Sequence, residues 1–152
     1  MSDHWIILIP ENAGFVPLED KQRLALEKLR QLTPDADETE IEKTDNIRFE
    51  YCGENFSKII CPACGKIIDM NWWQEKMDKD YGDDSGFKLA SYKMPCCGAA
   101  KTLHDLNYYF QQGFARFSLS SMNPNIGEMP KESVAAIESI LGCKLRVIYL
   151  HL

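Results

Sequence analysis

The chain has 152 residues and a formal net charge of −6, a length that suits one domain or a core carrying a small insert. Its hydrophobic fraction of 45% and charged fraction of 26% are ordinary for a folded domain, so a core can form without relying on metal or disulfides. No apolar run is long enough for a transmembrane helix, and no basic segment followed by a long apolar one opens the chain, so a cytoplasmic protein with no membrane partner is expected.

Trp5-Ile6-Ile7-Leu8-Ile9 is a continuous apolar run ending at Pro10, the pattern of a strand covered on both faces. After a loop, Pro17 is expected at the first position of a helix, where its fixed φ is suited. Leu18, Ala25, Leu29 and Leu32 recur at helical spacing, and Leu26 widens the stripe. Thr33-Pro34-Asp35 ends that helix. Two strands are expected over 38–43 and 47–52, with Asp45-Asn46 as their turn. In the second, Ile47, Phe49 and Tyr51 alternate with Arg48 and Glu50, one face buried and one wet.

Asp69 is placed to cap a helix running to about Asp80, with Met70, Trp73 and Met77 on one face. A polar loop at 81–86 precedes a strand expected over 87–94, and a short helix or turn follows at 103–106. Residues 114–119 alternate as a strand. Pro130 is expected to start a helix with Val134, Ile137 and Leu141 on one face, stopped by Gly142 in a left-handed cap. Residues 144–150 alternate again, with Leu145, Val147 and Tyr149 on one side.

Gly14-Phe15-Val16-Pro17-Leu18-Glu19 is echoed by Gly127-Glu128-Met129-Pro130-Lys131-Glu132. Each copy follows an apolar strand and opens a helix that leads to a strand. Two such halves, 1–57 and 108–152, give the order βαββαβ, which is ferredoxin-like. The expected fold is therefore α+β: a single domain, 1–152, with a ferredoxin-like βαββαβ core and a metal-binding insert, 58–107, between pseudo-repeated halves.

The insert holds Cys61-Pro62-Ala63-Cys64-Gly65 and Pro95-Cys96-Cys97-Gly98, four of the six cysteines in two short turns. Inside the cell such cysteines are expected as ligands or buried thiols rather than disulfides. A Cys-x-x-Cys turn presents two thiolates from one loop, and zinc favours tetrahedral sulfur in structural sites. Cys61 to Gly65 resembles the knuckle of the zinc-ribbon family, a likeness that covers residues 61–98. In the register of that knuckle, Met94 stands in the first ligand's place of the second turn and Cys96 in that of the variable residue. Cys97 is the safer ligand of the adjacent pair. The fourth is assigned to Cys96, with His104 and the more remote Cys52 as alternatives. The expected site is Cys61, Cys64, Cys96 and Cys97 holding one structural zinc per chain, closed to water. The stretch from Pro95 to Tyr108, with Gly113-Phe114-Ala115-Arg116-Phe117, is similar to small uncharacterised bacterial proteins with a zinc-ribbon-like insert, a resemblance that carries no established activity.

No catalytic motif is recognised. The histidines are His4, His104 and His151, none in a metalloprotease arrangement. A thiolate–imidazole pair of Cys96 and His104 is the one enzymatic arrangement the residue types allow. His4 and His151 flank expected strands and read as surface or core-edge residues. Acidity concentrates in residues 35–54, with eight acids against Lys43 and Arg48. Such a stretch is either a solvated strand and loop or a face for a partner with a basic surface, and it repels phosphate backbones. The insert's lysines with Trp72, Trp73 and Tyr92 offer stacking for nucleic acid, though interrupted by Asp78, Asp80, Asp83 and Asp84. The reading favoured by the sequence is a non-enzymatic, zinc-stabilised protein-binding module, immunity-type or regulatory. A nucleic-acid-binding zinc ribbon is the first alternative and a zinc or thiol enzyme the second.

Overall fold

The structure is a computed structural model and describes residues 2–152. Strand β1 (His4–Pro10) is followed by helix α1 (Glu19–Leu32) and the long strand β2 (Glu38–Glu50). The middle of the chain carries β3 (Lys58–Ile60), α2 (Met70–Asp80), β4 (Tyr81–Gly82), β5 (Gly86–Phe87), β6 (Tyr92–Lys93), β7 (Ala100–Lys101), a 3-10 turn (Leu103–Asp105) and β8 (Asn107–Tyr109). Strand β9 (Gly113–Met122), helix α3 (Lys131–Leu141) and strand β10 (Leu145–His151) complete the fold. This is a mixed α+β protein with a six-stranded sheet in the order β10-β1-β9-β2-β5-β4, and its first four strands pair antiparallel throughout.

The apolar run of β1 is explained by two covered faces. Ile6 and Leu8 point toward α1 and α3 with Ala25, Leu29, Phe117, Leu119, Ile137 and Leu141. Ile7 and Ile9 point the other way, against Cys52, Ala115 and Ile148. Leu145, Val147 and Tyr149 of β10 pack on the helix side, as their alternation predicts. Helix α3 stops at Gly142, whose φ of +76° is left-handed and whose N–H donates to the Glu138 carbonyl at 2.8 Å. The first helix begins later than expected: Leu18 is its extended N-cap, 71% exposed, and Pro17 lies before it. Gln22 takes the first buried position of the stripe instead and donates to the Pro17 carbonyl at 2.7 Å.

Residues 38–50 form one strand rather than a hairpin. Both parts pair with β9, Lys43 opposite Phe117 and Arg48 opposite Ala115, so Thr44 to Ile47 bulge out where a turn was expected. Arg48 and Glu50 do not face bulk water. Their side chains are 19% and 14% exposed and pair at 3.0 Å. Burial raises the Glu50 carboxyl above its usual range, against the pull of Arg48.

A second core lies under the middle segment, built from Ile59, Ile68, Trp73, Met77, Met94, Leu103, Leu106, Tyr108 and Phe114. Asp69 caps α2 by accepting from the Asn71 N–H at 3.0 Å, as expected. Trp73 and Met77 are buried, whereas Met70 is 38% exposed. The strand expected over 87–94 is broken at Leu89, where φ is +53°. The buried Asp80 carboxylate accepts from the N–H groups of Leu89 and Ala90 and from the Tyr92 hydroxyl, which fixes that kink. Of the aromatic run near 108, Tyr108, Phe114 and Phe117 are core, while Tyr109 and Phe110 are exposed.

Candidate metal centre

Two turns with the same backbone bring four sulfurs together. In the first, the Cys61 N–H donates to the Lys66 carbonyl at 2.8 Å and the Gly65 N–H to the Cys61 carbonyl at 3.0 Å. In the second, the Met94 N–H donates to the Ala99 carbonyl at 2.8 Å and the Gly98 N–H to the Met94 carbonyl at 2.9 Å. Gly65 and Gly98 close them with φ of +79° and +75°, a region glycine enters without steric cost. Met94 thus stands where Cys61 stands, Cys96 where Ala63 stands, and Cys97 where Cys64 stands.

The four Sγ atoms of Cys61, Cys64, Cys96 and Cys97 all lie within 4.8 Å of one another. Cys61 and Cys97 are 3.8 Å apart, and Cys64 and Cys96 are 3.2 Å apart. Thiolates at about 2.3 Å from a tetrahedral zinc stand ~3.8 Å apart, so the donor set fits such an ion with small adjustments. Cys61 is buried, Cys96 half-buried, and Cys64 and Cys97 are exposed, which puts the cluster at the rim of the second core.

Within the four-sulfur cluster the ionisation of Cys61 and that of Cys96 shift in opposite directions. Burial opposes ionisation of Cys61, but the backbone N–H groups of Cys64 and Ala63 outweigh it and hold the thiol at about 7. Cys96 is pushed up to about 12, first by its contact with Cys64 and also by the sulfurs of Cys61 and Cys97. Like charges this close suppress one another's ionisation, whereas a coordinated cation deprotonates thiols outright.

The alternative fourth ligands are engaged elsewhere. His104 Nδ1 accepts from the Phe114 N–H at 3.0 Å, and Nε2 lies 2.7 Å from the Glu11 carbonyl. That pattern fixes the neutral ring with its proton on Nε2. Burial and the nearby Arg146 guanidinium hold His104 below its usual pKa. The ring thus has no free nitrogen for an ion or for a thiolate partner at Cys96. Cys52 is fully buried beside Gln112 and Phe110, 3.5 Å from Gln112 Oε1 and 3.6 Å from the Phe110 carbonyl oxygen, and burial raises its thiol.

One buried group ties the middle segment to the sheet, and no local sequence signal points to it. Arg146 on β10 pairs with Glu11 at 2.7 Å and donates to the carbonyls of Gln112 at 2.9 Å and His104 at 3.1 Å. The tryptophans divide. Trp73 is core and donates from Nε1 to the Tyr108 hydroxyl at 3.0 Å, while Trp72 is half-buried with Lys76 5.8 Å from its ring.

Compared with protein-family models, with curated proteins and with solved structures, the chain matches none. Fold and site therefore define its class: an α+β protein with four clustered cysteines at the rim of its second core. No helix among the described residues is long and apolar enough to cross a membrane.

Proposed function

We propose that this protein is a non-enzymatic, zinc-stabilised protein-binding module of the cytoplasm. Cys61, Cys64, Cys96 and Cys97 would hold one zinc per chain. When bound, the ion supplies a four-way cross-link between the two turns and leaves no coordination position open to water. The zinc-ribbon likeness of the insert, 58–107, belongs to this reading. So does the ferredoxin-like core, which the order β10-β1-β9-β2 supports, with α1 joining β1 to β2 and α3 joining β9 to β10.

The observation that carries the binding role is the sheet face opposite α1 and α3. Leu150, Trp5, Met122 and Glu38 form one row across it, and Ile148, Ile7, Ser120 and Glu40 the next. The rows run from apolar residues at β10 to glutamates at β2. Trp5, Ile7, Glu40, Ser120 and Leu150 of these rows line a groove of about 380 Å³ together with Glu42 and Glu50, which pair with Arg48. This gradient suits a segment with one apolar and one basic side, and the acids steer such a partner into place. Nucleic acid is disfavoured on the same face by the carboxylates, and the core position of Trp73 removes one stacking platform.

The test is recovery of a stoichiometric partner from native extract by the wild-type protein and by Glu40→Lys with Glu42→Lys. The expected result is salt-sensitive capture that the charge-reversed protein loses by tenfold or more. Equal capture by both proteins, or none by either, contradicts the reading.

A further inference from the structure

His4 and His151, apart from the cysteine site, are cross-strand partners at the paired ends of β1 and β10. Their ring centroids are 4.3 Å apart, and their Nδ1 atoms face each other at 2.7 Å. Glu54 Oε2 stands 3.5 Å from the other ring nitrogen of His151, Nε2. The backbone puts it there: the Glu54 N–H donates to the His151 carbonyl at 3.0 Å, and the His151 N–H to the Cys52 carbonyl at 3.3 Å. Gly53 between them is left-handed at φ +67°, and any side chain there would collide with the His151 carbonyl.

The arrangement has a chemical consequence. A carboxylate at Nε2 favours the imidazole proton on that nitrogen and leaves Nδ1 with its lone pair. That lone pair points at His4 Nδ1. Two imidazole nitrogens at this distance are joined either by a hydrogen bond, with His4 Nδ1–H donating, or by a cation that both lone pairs ligate. The geometry points to a second metal site: His4 and His151 together ligate a divalent cation of the borderline class (zinc, nickel or copper), and Glu54 orients His151. Imidazole nitrogens are the ligands these ions favour. Nitrogens at about 2.0–2.1 Å from a tetrahedral zinc stand ~3.3 Å apart, so the rings need part only slightly. His4 is exposed and has room to do so.

This site differs from the cysteine cluster in being open. Two protein ligands leave the remaining positions to water or to a ligand. His4 also lines a cavity of about 540 Å³ with Trp5, Asn55, Asn123, Asn125 and Tyr149. Asn123 fixes that wall. Its Oδ1 accepts from the His4 N–H at 2.9 Å, and its Nδ2 donates to Asp3 at 3.1 Å and Asp37 at 2.8 Å. Asn123 and Asn125 hold left-handed φ of +50° and +57°, a conformation that asparagine tolerates better than other residues with a side chain. An ion held by His4 and His151 would thus keep exchangeable positions beside a cavity that is largely apolar with asparagines on its wall, as sites that act on ligands do and structural sites do not.

The experiment titrates the purified protein with zinc chloride by calorimetry and with nickel chloride by NMR. The expected result is an equivalent of zinc that His4→Gln or His151→Gln each weakens tenfold or more. Glu54→Gln weakens it by about 10-fold or more, as loss of an orienting partner does. In the wild type, paramagnetic nickel broadens the ring signals of His4 and His151 first, a readout that needs no variant to fold. Cys64→Ser leaves the pair intact, so failure of the thiolate site and failure of this one are separately visible. The proposal is overturned if nickel spares both rings, or if the histidine variants bind zinc as the wild type does.

Discussion

The helix-backed half of this molecule and its middle segment are held by different means. In the first, strands of seven to thirteen residues pair in long ladders, and α1 and α3 cover them with Ala25, Leu29, Ile137 and Leu141. In the second, no strand exceeds three residues. There the order comes from an aromatic core around Trp73, Tyr108 and Phe114, from carboxylate anchors such as Asp80, and from the Arg146 network. The cysteine cluster lies at the rim of that core, not at its centre. A metal there would secure the two turns more than it would support the whole segment, unlike a small zinc finger that has no other core.

Loss of a ligand breaks the comparison most sharply. Cys64→Ser, made in a His4→Gln background so that only the sulfur site is read, is expected to abolish stoichiometric metal binding, measured by elemental analysis of protein purified without chelators. Hydrogen exchange should then rise in residues 61–66 and 94–99 and stay slow in α2 and in the long strands. Collapse of protection in β1 and β9 would contradict the division.

Severing the link between the regions comes next. Arg146→Met removes the partner of Glu11 and of two buried carbonyls. Glu11 is half exposed and recovers water, so the expected loss is about 2–4 kcal/mol in urea unfolding, with metal content unchanged.

The twin turns offer a finer test. Cys96→Ala is expected to weaken metal binding by about 100-fold or more. Adding Met94→Cys restores the regular ligand order and should recover it. The cost is about 1–2 kcal/mol of stability, because Met94 is 3% exposed and its side chain is shortened. No recovery in the double variant would show that the turns differ in more than their side chains.

Acid sensitivity is the smallest effect. His104 is held neutral in the folded state, chiefly by burial, so its pKa lies below 6.5. The unfolded chain takes up a proton that the folded protein refuses. Stability from this group is present above pH 6.5 and is lost as pH falls through the folded value. For Glu11, burial is outweighed by Arg146, and its carboxyl lies below 4.5, so further stability goes as pH falls past that point. Urea midpoints between pH 7.5 and 5.5 should fall more steeply in the wild type than in His104→Gln. Equal slopes would remove His104 from the account.

Local signals carried much of this fold. The apolar run of β1, the Asp69 cap, the left-handed Gly142 and the Pro-to-Gly register of the second turn were all readable in short windows. The register even placed Met94 in the first ligand's position. Long-range pairing was not readable. Asp45 and Asn46 have the composition of a hairpin turn, yet they bulge because both flanking stretches pair with β9, some 70 residues on. Leu18 fits the helical stripe by spacing but falls at the exposed N-cap. Arg146 and Glu11 are 135 residues apart, and His4 and His151 are 147 apart, so neither pair leaves a trace in local sequence. His104, the alternative to Cys96 as fourth ligand, has both ring nitrogens engaged in the buried network by partners far from it in sequence or set by the tertiary fold.

The central claim is a closed four-sulfur zinc site in which adjacent Cys96 and Cys97 both bind. X-ray absorption at the zinc edge of the purified protein tests it most directly. In protein carrying His4→Gln, which leaves only the sulfur site, the expected result is one zinc per chain with four sulfur neighbours at about 2.3 Å and no light-atom shell. Three sulfurs with one nitrogen or oxygen neighbour, or protein free of metal, would contradict it.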